Sequence, residues 1–486
     1  MGNDDEEGDP MYLHSVAMIC LCLLTFSCLM LIPRGGHATI PGNTEDPEAV
    51  KEVLSGKRTV ANAAWWGFDE FDATEALQSA INSGAKRVIV PNMTRDWIVR
   101  PINLAGDQEL VFEDGVVVTA KRGEFKGKGE CLFRGVNIRN LTIRGYGATW
   151  RMQKMDYISG MHLKALRESL GSDNAEGTYD YGEWRRTLIL QSCADVEVLG
   201  LILRDSGGDG ICLCKGDVDK PFCQNIHIMD VVCDNNLRQG ISVVSAENLL
   251  IENCVFKNTW GTPPAAGIDL EPDLPTYRLR EITIRNCVFQ ENYGNGIHIF
   301  LGSHAPDPKR LKAAGIRPLE DVSVLIDSCR VSSSMGGGIR VAGVREKGAR
   351  GLIEFRDCTI ENVGKFGLEI NRKSADGVHL RFDNCIWRNV ARGCATEIPL
   401  QIILRPHIRR NGGVEFVKCM VEDDRARPFI IAREEGKTTG LHDITGEVTV
   451  CNPWFRARRD SQSANNAVTA LGDKTHNVNL RVMEKW

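Results

Sequence analysis

Residues 281–289 read EITIRNCVF, and the fold follows from the way this phrase recurs along the chain. Each copy begins with alternating apolar and polar residues. A polar residue, a cysteine and a second short apolar pattern follow. The cysteines of these copies are Cys254, Cys287, Cys329, Cys358, Cys385 and Cys419. Alternation with a period of two is typical of β-strands, and Asn or Asp before the cysteine is typical of turns. The sequence therefore predicts short strands separated by tight turns.

A second phrase, glycine followed by an aliphatic residue, recurs with the first. Its glycines are Gly210, Gly240, Gly267, Gly296, Gly338 and Gly367, at steps of 30, 27, 29, 42 and 29 residues. The long step contains a polar, Pro-rich stretch at 302–320, which we interpret as an insertion. A strand-only repeat with a period of 20–50 residues indicates a solenoid whose coils bury their faces against one another. We expect an all-β solenoid over residues 60–450.

The repeat resembles the right-handed parallel β-helix of the pectate-lyase superfamily. The turns carry recurrent Asn or Asp, at Asn253, Asn286, Asp357 and Asn384, as the polar ladders of that fold would require. Residues 72–82 form an amphipathic pattern followed by a strand. The resemblance implies a single-stranded right-handed parallel β-helix whose open N-terminal end is capped by a helix at 74–83. It covers roughly residues 73–450 and is more specific for fold than for activity.

The N-terminus is predicted to be a targeting segment. Residues 16–32 are apolar and uncharged, and small residues allow cleavage after Ala38, although acidic residues precede the run. A start at Met11 would remove that acidic stretch. Residues 1–38 are thus a signal peptide, giving a secreted, periplasmic or cell-surface protein, or alternatively a membrane anchor. The remaining expectations are a linker at 39–59, insertions at 151–186 and 302–320, and a C-terminal tail at 451–486.

Composition limits the possible functions. Of 486 residues, 42% are hydrophobic and 25% are charged, which excludes a disordered chain and a multi-span membrane protein. A net charge of −5 argues against a nucleic-acid partner. The repeated cysteines are expected to stack inside the solenoid as small apolar residues, so disulfides are a secondary interpretation. Zinc is disfavoured because no CxxC pair is present and, outside the apolar run at 16–32, CxC occurs once, at Cys212 and Cys214.

Candidate chemistry lies on the outer face of the glycine-containing strands. If the residue after each glycine points inward, the next residues form an outward row: Cys212, Ser242, Asp269, His298, Arg340 and Glu369. Equivalent positions on adjacent coils are ~4.8 Å apart. This row gathers acidic and basic side chains on consecutive coils, as a catalytic groove requires, although a solvated strand edge could also carry them.

Asp269 and Glu271 form the densest candidate site. They point the same way, roughly 6.6 Å apart by strand rise. This is the lower edge of the range of about 6.5–9.5 Å between the carboxyls of inverting glycosidases. Pro272 implies a strand end, so Asp273 is expected at the rim. His298 is predicted to lie beside Asp269.

Two earlier turns resemble those of polygalacturonases in their order. Asp209 falls where that family has a pair of aspartates, but its neighbour is Gly208, and Gln239 falls where the family has a histidine. The resemblance therefore implies Asp209 as a further catalytic candidate and Gln239 as a substrate contact. Asp209 also suits a purely structural turn.

The interruption at 151–186 ends in the sequence YDYGEWRR at 179–186, rich in aromatic and charged residues. Glu183 and Arg185 resemble a Glu-Trp-Arg element of bacterial β-helix carbohydrate-active proteins, which implies substrate binding. The alternative is a surface loop. Arg238 and Arg340 are further candidates for holding substrate anions or hydroxyls.

Three functions remain open from the sequence. The first is a glycoside hydrolase on an acidic, uronate-containing polysaccharide or on a neutral one, with Asp269 and Glu271 as acid and base. The second is a polysaccharide lyase, in which Asp269, Glu271 and Asp273 would bind Ca²⁺ and an Arg or His298 would be the base. The third is a non-catalytic binding solenoid. A polysaccharide substrate is the expected partner, no cofactor is certain, and the oligomeric state is not predicted.

Overall fold

The computed structural model of the protein describes residues 44–172, 176–216, 222–303, 321–393, 397–438, 440–452 and 475–484. The predicted targeting segment at 1–38 and nearly all of the insertion at 302–320 lie outside these ranges, so the extracytoplasmic location stays a prediction. Among the described helices, none has both the length and the apolar character needed to span a membrane.

Three ladders of strands, parallel in every pairing, build the molecule. The first contains β1 (Val60–Asn62), β2 (Arg87–Val90), β5 (Gln108–Phe112), β8 (Arg139–Arg144), β11 (Ala194–Leu199), β14 (Cys223–Met229), β17 (Ala246–Glu252), β20 (Leu279–Arg285), β23 (Val322–Asp327), β26 (Gly351–Arg356), β29 (His379–Asp383), β32 (Asn411–Glu422), β34 (Leu441–Cys451) and β35 (Thr475–Glu484).

The second ladder consists of short strands and the third of the glycine-containing strands. The second contains β3 (Trp97–Val99), β6 (Val117–Ala120), β9 (Thr149–Arg151), β12 (Ile202–Arg204), β15 (Val232–Asp234), β18 (Val255–Lys257), β21 (Val288–Gln290), β24 (Arg330–Ser332), β27 (Thr359–Glu361) and β30 (Ile386–Arg388). The third contains β4 (Ile102–Asn103), β7 (Phe133–Val136), β10 (Leu188–Gln191), β13 (Ile211–Cys214), β16 (Gln239–Val243), β19 (Ala266–Leu270), β22 (Asn295–Phe300), β25 (Gly337–Ala342), β28 (Leu368–Asn371), β31 (Leu400–Leu404) and β33 (Ile430–Glu434).

The predicted parallel solenoid and its N-terminal helix are confirmed. The described helices are α1 (Pro47–Leu54), a 3-10 helix (Ala63–Trp66), α2 (Thr74–Ile81) and α3 (Lys154–Ser169). Helix α2 buries Leu77 and Ile81 against the first strands, and it ends two residues before the predicted limit. Helix α1 lies in the range predicted to be a linker, and β35 lies in the predicted tail.

The repeated cysteines line the core, as predicted. All six are buried with free thiols. Each thiol donates to the carbonyl two residues earlier, as from Cys287 Sγ to Arg285 O at 3.2 Å. Aromatic rings stack in the same way, since Phe382 lies 4.9 Å from Phe355 and 5.4 Å from Phe416 between ring centroids. Because each position repeats coil after coil, the core is a set of stacked rows.

Close backbone approach explains the repeated glycine. A Cβ atom at Gly240 would lie 2.4 Å from the carbonyl oxygen of Gly267, and one at Gly338 would lie 2.4 Å from that of Gly367. Neither carbonyl can move without disturbing the next coil, so only glycine fits.

The interruption at 151–186 is fastened to the coil that follows it. Lys154, at the start of α3, is buried and donates from Nζ to Asn235 Oδ1 at 3.2 Å and to Asn236 O at 3.1 Å. At the other end, Arg185 forms an antiparallel bridge with Gly207. The interruption therefore packs directly beside the turn that carries Asp209.

Candidate functional site

The outward row on the third ladder has the register that the glycine phrase predicts. Backbone pairing aligns the row in the order Cys212, Ser242, Asp269, His298, Arg340, Glu369 and Gln401. Adjacent members come from consecutive coils ~4.8 Å apart. The solenoid itself, without any long loop, thus places carboxylates and cations side by side.

Asp269 lies at the centre of a buried polar group. Its Oδ2 accepts a hydrogen bond from Gln239 Nε2 at 3.0 Å. Its Oδ1 lies 3.1 Å from His298 Nδ1, but neither atom has a hydrogen-bond partner of suitable geometry. The contact between Asp269 and His298 that the sequence predicts is therefore present.

Arg238 connects the two sides of the site. Its guanidinium lies 3.4 Å from Glu183, 3.6 Å from Glu271 and 3.9 Å from Asp209. Glu183 comes from the interruption, Glu271 follows β19, and Asp209 lies in the turn before β13. Residues far apart in the chain thus converge on one cation.

The two half-buried carboxyls around Arg238, those of Glu271 and Glu183, have raised pKa values. Burial and the neighbouring Asp269 carboxylate raise the pKa of Glu271 to about 8, against the opposing effect of Arg238. Burial also raises the pKa of Glu183, again opposed by Arg238. The predicted spacing of Asp269 and Glu271 as an inverting pair stays a prediction.

Side-chain exposure separates the carboxyls that reach the surface from those that lie beneath them. Side-chain exposure is 31% for Glu271 and 27% for Glu183, but 1% for Asp269 and 0% for Asp209. The predicted catalytic residues Asp209 and Asp269 consequently lie beneath the surface that Glu271 and Glu183 reach.

Gln239 and Arg185 are not positioned as the substrate contacts that the sequence predicts. Both are fully buried. The amide of Gln239 is used by Asp269 and by the backbone N–H of Ala266. The guanidinium of Arg185 donates to four backbone carbonyls, those of Phe125, Lys126, Asp180 and Gly182. Its hydrogen-bonding groups are therefore used by the protein itself.

Arg186 was missed by the sequence reasoning. Its Nε donates to Asp209 Oδ2 at 3.1 Å, and it supplies the counter-ion of that buried carboxylate. Its position next to the Glu-Trp-Arg element was the available signal. Arg340, by contrast, reaches the surface as predicted and pairs with Glu369 at 2.9 Å.

The sequence offers a Ca²⁺ site at Asp269, Glu271 and Asp273 only for the lyase alternative. Throughout the described ranges, no three acidic, histidine or cysteine side chains are arranged to hold a metal ion. Asp269 faces Gln239 and His298, while Asp273 is exposed at the rim, as predicted from Pro272. The three carboxyls therefore do not converge on one point.

Comparison with known proteins identifies the fold. Residues 178–307 match a family described as the right handed beta helix region. The chain is a right-handed parallel β-helix protein. No curated protein sequence matches it.

Several solved β-helix structures are similar to this one. A family 28 exopolygalacturonase from Yersinia enterocolitica is 14% identical, with 88% of this chain and 79% of that chain covered and a TM-score of 0.49. A polygalacturonase from Erwinia carotovora ssp. carotovora is 13% identical, with 88% and 95% covered and a TM-score of 0.43. The surface adhesin PfbA of Streptococcus pneumoniae is 11% identical, with 88% and 91% covered and a TM-score of 0.47. These likenesses assign no activity.

The arrangement in this β-helix suits proton transfer. Two carboxyls with raised pKa values, those of Glu271 and Glu183, reach the surface and contact a shared arginine. Pairs of titratable groups whose surroundings perturb their pKa values are typical of acid–base sites.

Proposed function

We propose that this β-helix protein is a glycoside hydrolase whose groove is centred on Arg238, with Glu271 as the general acid. The pKa of Glu271, about 8, is the observation that carries the proposal. A carboxyl with this pKa is protonated at neutral pH and can donate its proton to the oxygen of a leaving sugar.

Glu183 is the proposed general base. It is exposed to the groove and contacts the same guanidinium as Glu271. Its raised pKa makes it a stronger base than an ordinary glutamate, and the positive charge of Arg238 favours its ionised form. In this scheme Glu183 activates a water while Glu271 protonates the leaving oxygen.

Asp269 and Asp209 support this pair from below. The negative charge of Asp269 helps keep the proton on Glu271. Asp209, paired with Arg186, lies under Arg238 and helps hold it in place. Both are positioning residues in this proposal.

Exposed aromatic side chains favour a sugar ligand. Tyr181 and Trp184 flank Glu183 in the sequence and are 76% and 42% exposed. Flat apolar rings with a polar edge provide surfaces on which the faces of sugar rings pack. Their exposure next to the proposed base has a function if a glycan lies in the groove.

The test is to incubate the purified protein with a panel of polyuronates and neutral glycans. New reducing ends without the ultraviolet absorbance of an unsaturated sugar are the expected result. Glu271→Gln and Glu183→Gln should each lower turnover by about 10²-fold or more, with the thermal midpoint nearly unchanged. Glu197→Gln, an exposed glutamate on the first ladder, is the matched control.

Other outcomes would overturn the hydrolase proposal. Unsaturated products would indicate a lyase. Binding of a glycan without any product would indicate a non-catalytic solenoid. Full turnover in both amide variants would remove Glu271 and Glu183 from the mechanism.

A further inference from the structure

Beyond the groove, the edge that carries Glu271 becomes basic. Glu271 directly follows β19, and the ends of β25, β28 and β31 on later coils are followed by cations. These residues, together with Arg340 within β25, form the basic edge: Arg340, Arg345, Arg372, Arg405 and His407. Because all these strands belong to one parallel ladder, their ends lie along the same side of the solenoid.

The basic edge is only partly neutralised. Arg340 pairs with Glu369 at 2.9 Å, and Arg405 bonds to Asn371 Oδ1 at 3.1 Å and pairs with Glu435. The exposed side chains of Arg345 and Arg372 form no ion pair or hydrogen bond with any residue in the ranges that the structure describes.

These cations are close enough to repel one another. Burial and the charge of Arg372 lower the pKa of Arg405, and burial followed by Arg372, Arg405 and Arg345 lowers the pKa of His407. Unpaired like charges on one edge are unfavourable unless an anion binds there.

The basic edge continues the groove at a defined distance. The coil of Arg345 is the second after that of Glu271, and the coil of Arg405 is the fourth. At ~4.8 Å per coil, the edge spans roughly 10–19 Å from Glu271. A chain molecule lying along the solenoid with one bond at Glu271 would therefore pass over these arginines.

We propose that the basic edge binds carboxylate or sulfate groups of a glycan several sugar units away from the bond at Glu271. Arginine suits this task because its planar fork matches these anions through two parallel hydrogen bonds. The inference rests on the proposed function for its ligand, a glycan in the groove, and it names the substrate class as a polyanionic glycan.

Calorimetric binding to the Glu271→Gln protein tests the proposal without cleavage of the ligand. The probes are polygalacturonate, alginate, heparin, polygalacturonate whose carboxylates have been reduced to alcohols, single-stranded DNA and inorganic sulfate. At least one polyanion should bind, and the reduced polymer should bind more weakly. The double variant Arg345→Gln/Arg372→Gln should weaken polyanion binding by about 10-fold or more at low salt, with a smaller effect at high salt because charges are screened.

Lys86→Gln/Arg139→Gln is the matched control, since it removes two exposed positive charges from the first ladder and its flank. It should leave the affinity unchanged. Equal affinity of the double variant and its parent, equal binding of the charged and reduced polymers, or no binding of any polyanion would overturn the proposal. Arginine-dependent binding of single-stranded DNA but of none of the glycans would instead assign a nucleic acid, and binding of inorganic sulfate alone would assign a free anion.

The two proposals fail separately. Arginine-dependent binding of a glycan that the native protein does not cleave would overturn the hydrolase and keep the basic edge. Cleavage of a glycan whose affinity does not depend on Arg345 and Arg372 would keep the hydrolase and overturn the basic edge. If both hold, the double variant should raise KM with kcat nearly unchanged.

Discussion

Gln239 holds the buried carboxylate of Asp269 through a hydrogen bond of 3.0 Å from Nε2 to Oδ2. The other end of the amide, Oε1, accepts a 3.0 Å bond from the backbone N–H of Ala266. A backbone N–H can only donate, so it fixes which end of the amide faces Asp269. Gln239 therefore always presents a donor to this carboxylate.

Replacing Gln239 by Met should destabilise the protein. The change keeps the approximate volume but leaves Asp269 and the N–H of Ala266 without their partner, which costs about 1–3 kcal/mol for each unsatisfied buried group. Urea unfolding measures the loss. Gln191→Met is the control, because that amide is half-buried and, among the residues that the structure describes, bonds only to Lys215 O at 3.3 Å. An equal effect of the two substitutions would contradict the role assigned to Gln239.

Replacing Asp269 by Asn should shift the pH dependence of any activity at this site. Asp269 helps raise the pKa of Glu271 to about 8. Removing its charge lowers that pKa, so Glu271 loses its proton at lower pH. The alkaline limb of the kcat profile should move toward acid while turnover at lower pH persists. An unshifted limb would separate Asp269 from the protonation of Glu271.

Replacing Glu271 by Gln should change how stability depends on pH. In the unfolded chain this carboxyl loses its proton near its ordinary value of 4.5, but in the folded protein only near 8. Between these values the folded state holds the extra proton, so the free energy of unfolding of the native protein falls as pH rises. Glu271→Gln lacks this contribution and should become progressively more stable than its parent from about pH 5 to pH 9. Denaturant unfolding across this range checks the trend, and a constant difference would contradict it.

The fold could be predicted because the cysteine and glycine phrases recur in many coils, so the same pattern is observed several times. The glycine phrase gave the register of the outward row, including Asp269 beside His298, because β-strand periodicity fixes which residues share a face. The place of Arg185 could not be predicted in this way. Its burial depends on how the interruption folds back over Phe125 and Lys126. The interruption is not part of the repeat, so the repeat does not predict this packing.

The sequence also could not predict how deeply each side chain of the site is buried. Alternation shows that Asp269 and Glu271 point to the same side, but not that one is covered and the other open. The side chains of Gln239 and His298 contact buried Asp269 and come from the coils on either side of it. Contacts of this kind depend on tertiary packing rather than local pattern.

Replacing Gly338 by Ala should destabilise the solenoid. The new Cβ would lie 2.4 Å from both Gly367 O and a methyl carbon of Ile360. Relieving this overlap requires movement of the next coil, and overpacking of this kind typically costs about 1–3 kcal/mol. Gly129→Ala is the control, since nothing lies within 4 Å of its Cβ position and its φ is not positive. Thermal midpoints that fall equally would contradict the explanation given for the glycine row.

The six core cysteines should remain reduced and unreactive in the native protein. Adjacent coils are ~4.8 Å apart, a spacing that permits disulfides by distance alone. The thiols bond to backbone carbonyls instead, as Cys385 Sγ does with Phe355 O at 3.3 Å. Burial raises the pKa of Cys385 well above its usual range, which suppresses the reactive thiolate.

Alkylation followed by peptide mass spectrometry distinguishes the two arrangements. Without reductant, the six cysteines should be labelled slowly in the native protein and fully after denaturation. Cys214, which is half-buried, provides the internal comparison and should react faster in the native state. Disulfide-linked peptides from Cys254 to Cys419 would show that the row is cross-linked. Rapid native labelling of Cys385 would show that the row is not buried, because a reagent reaches a core thiol only when the coils around it open.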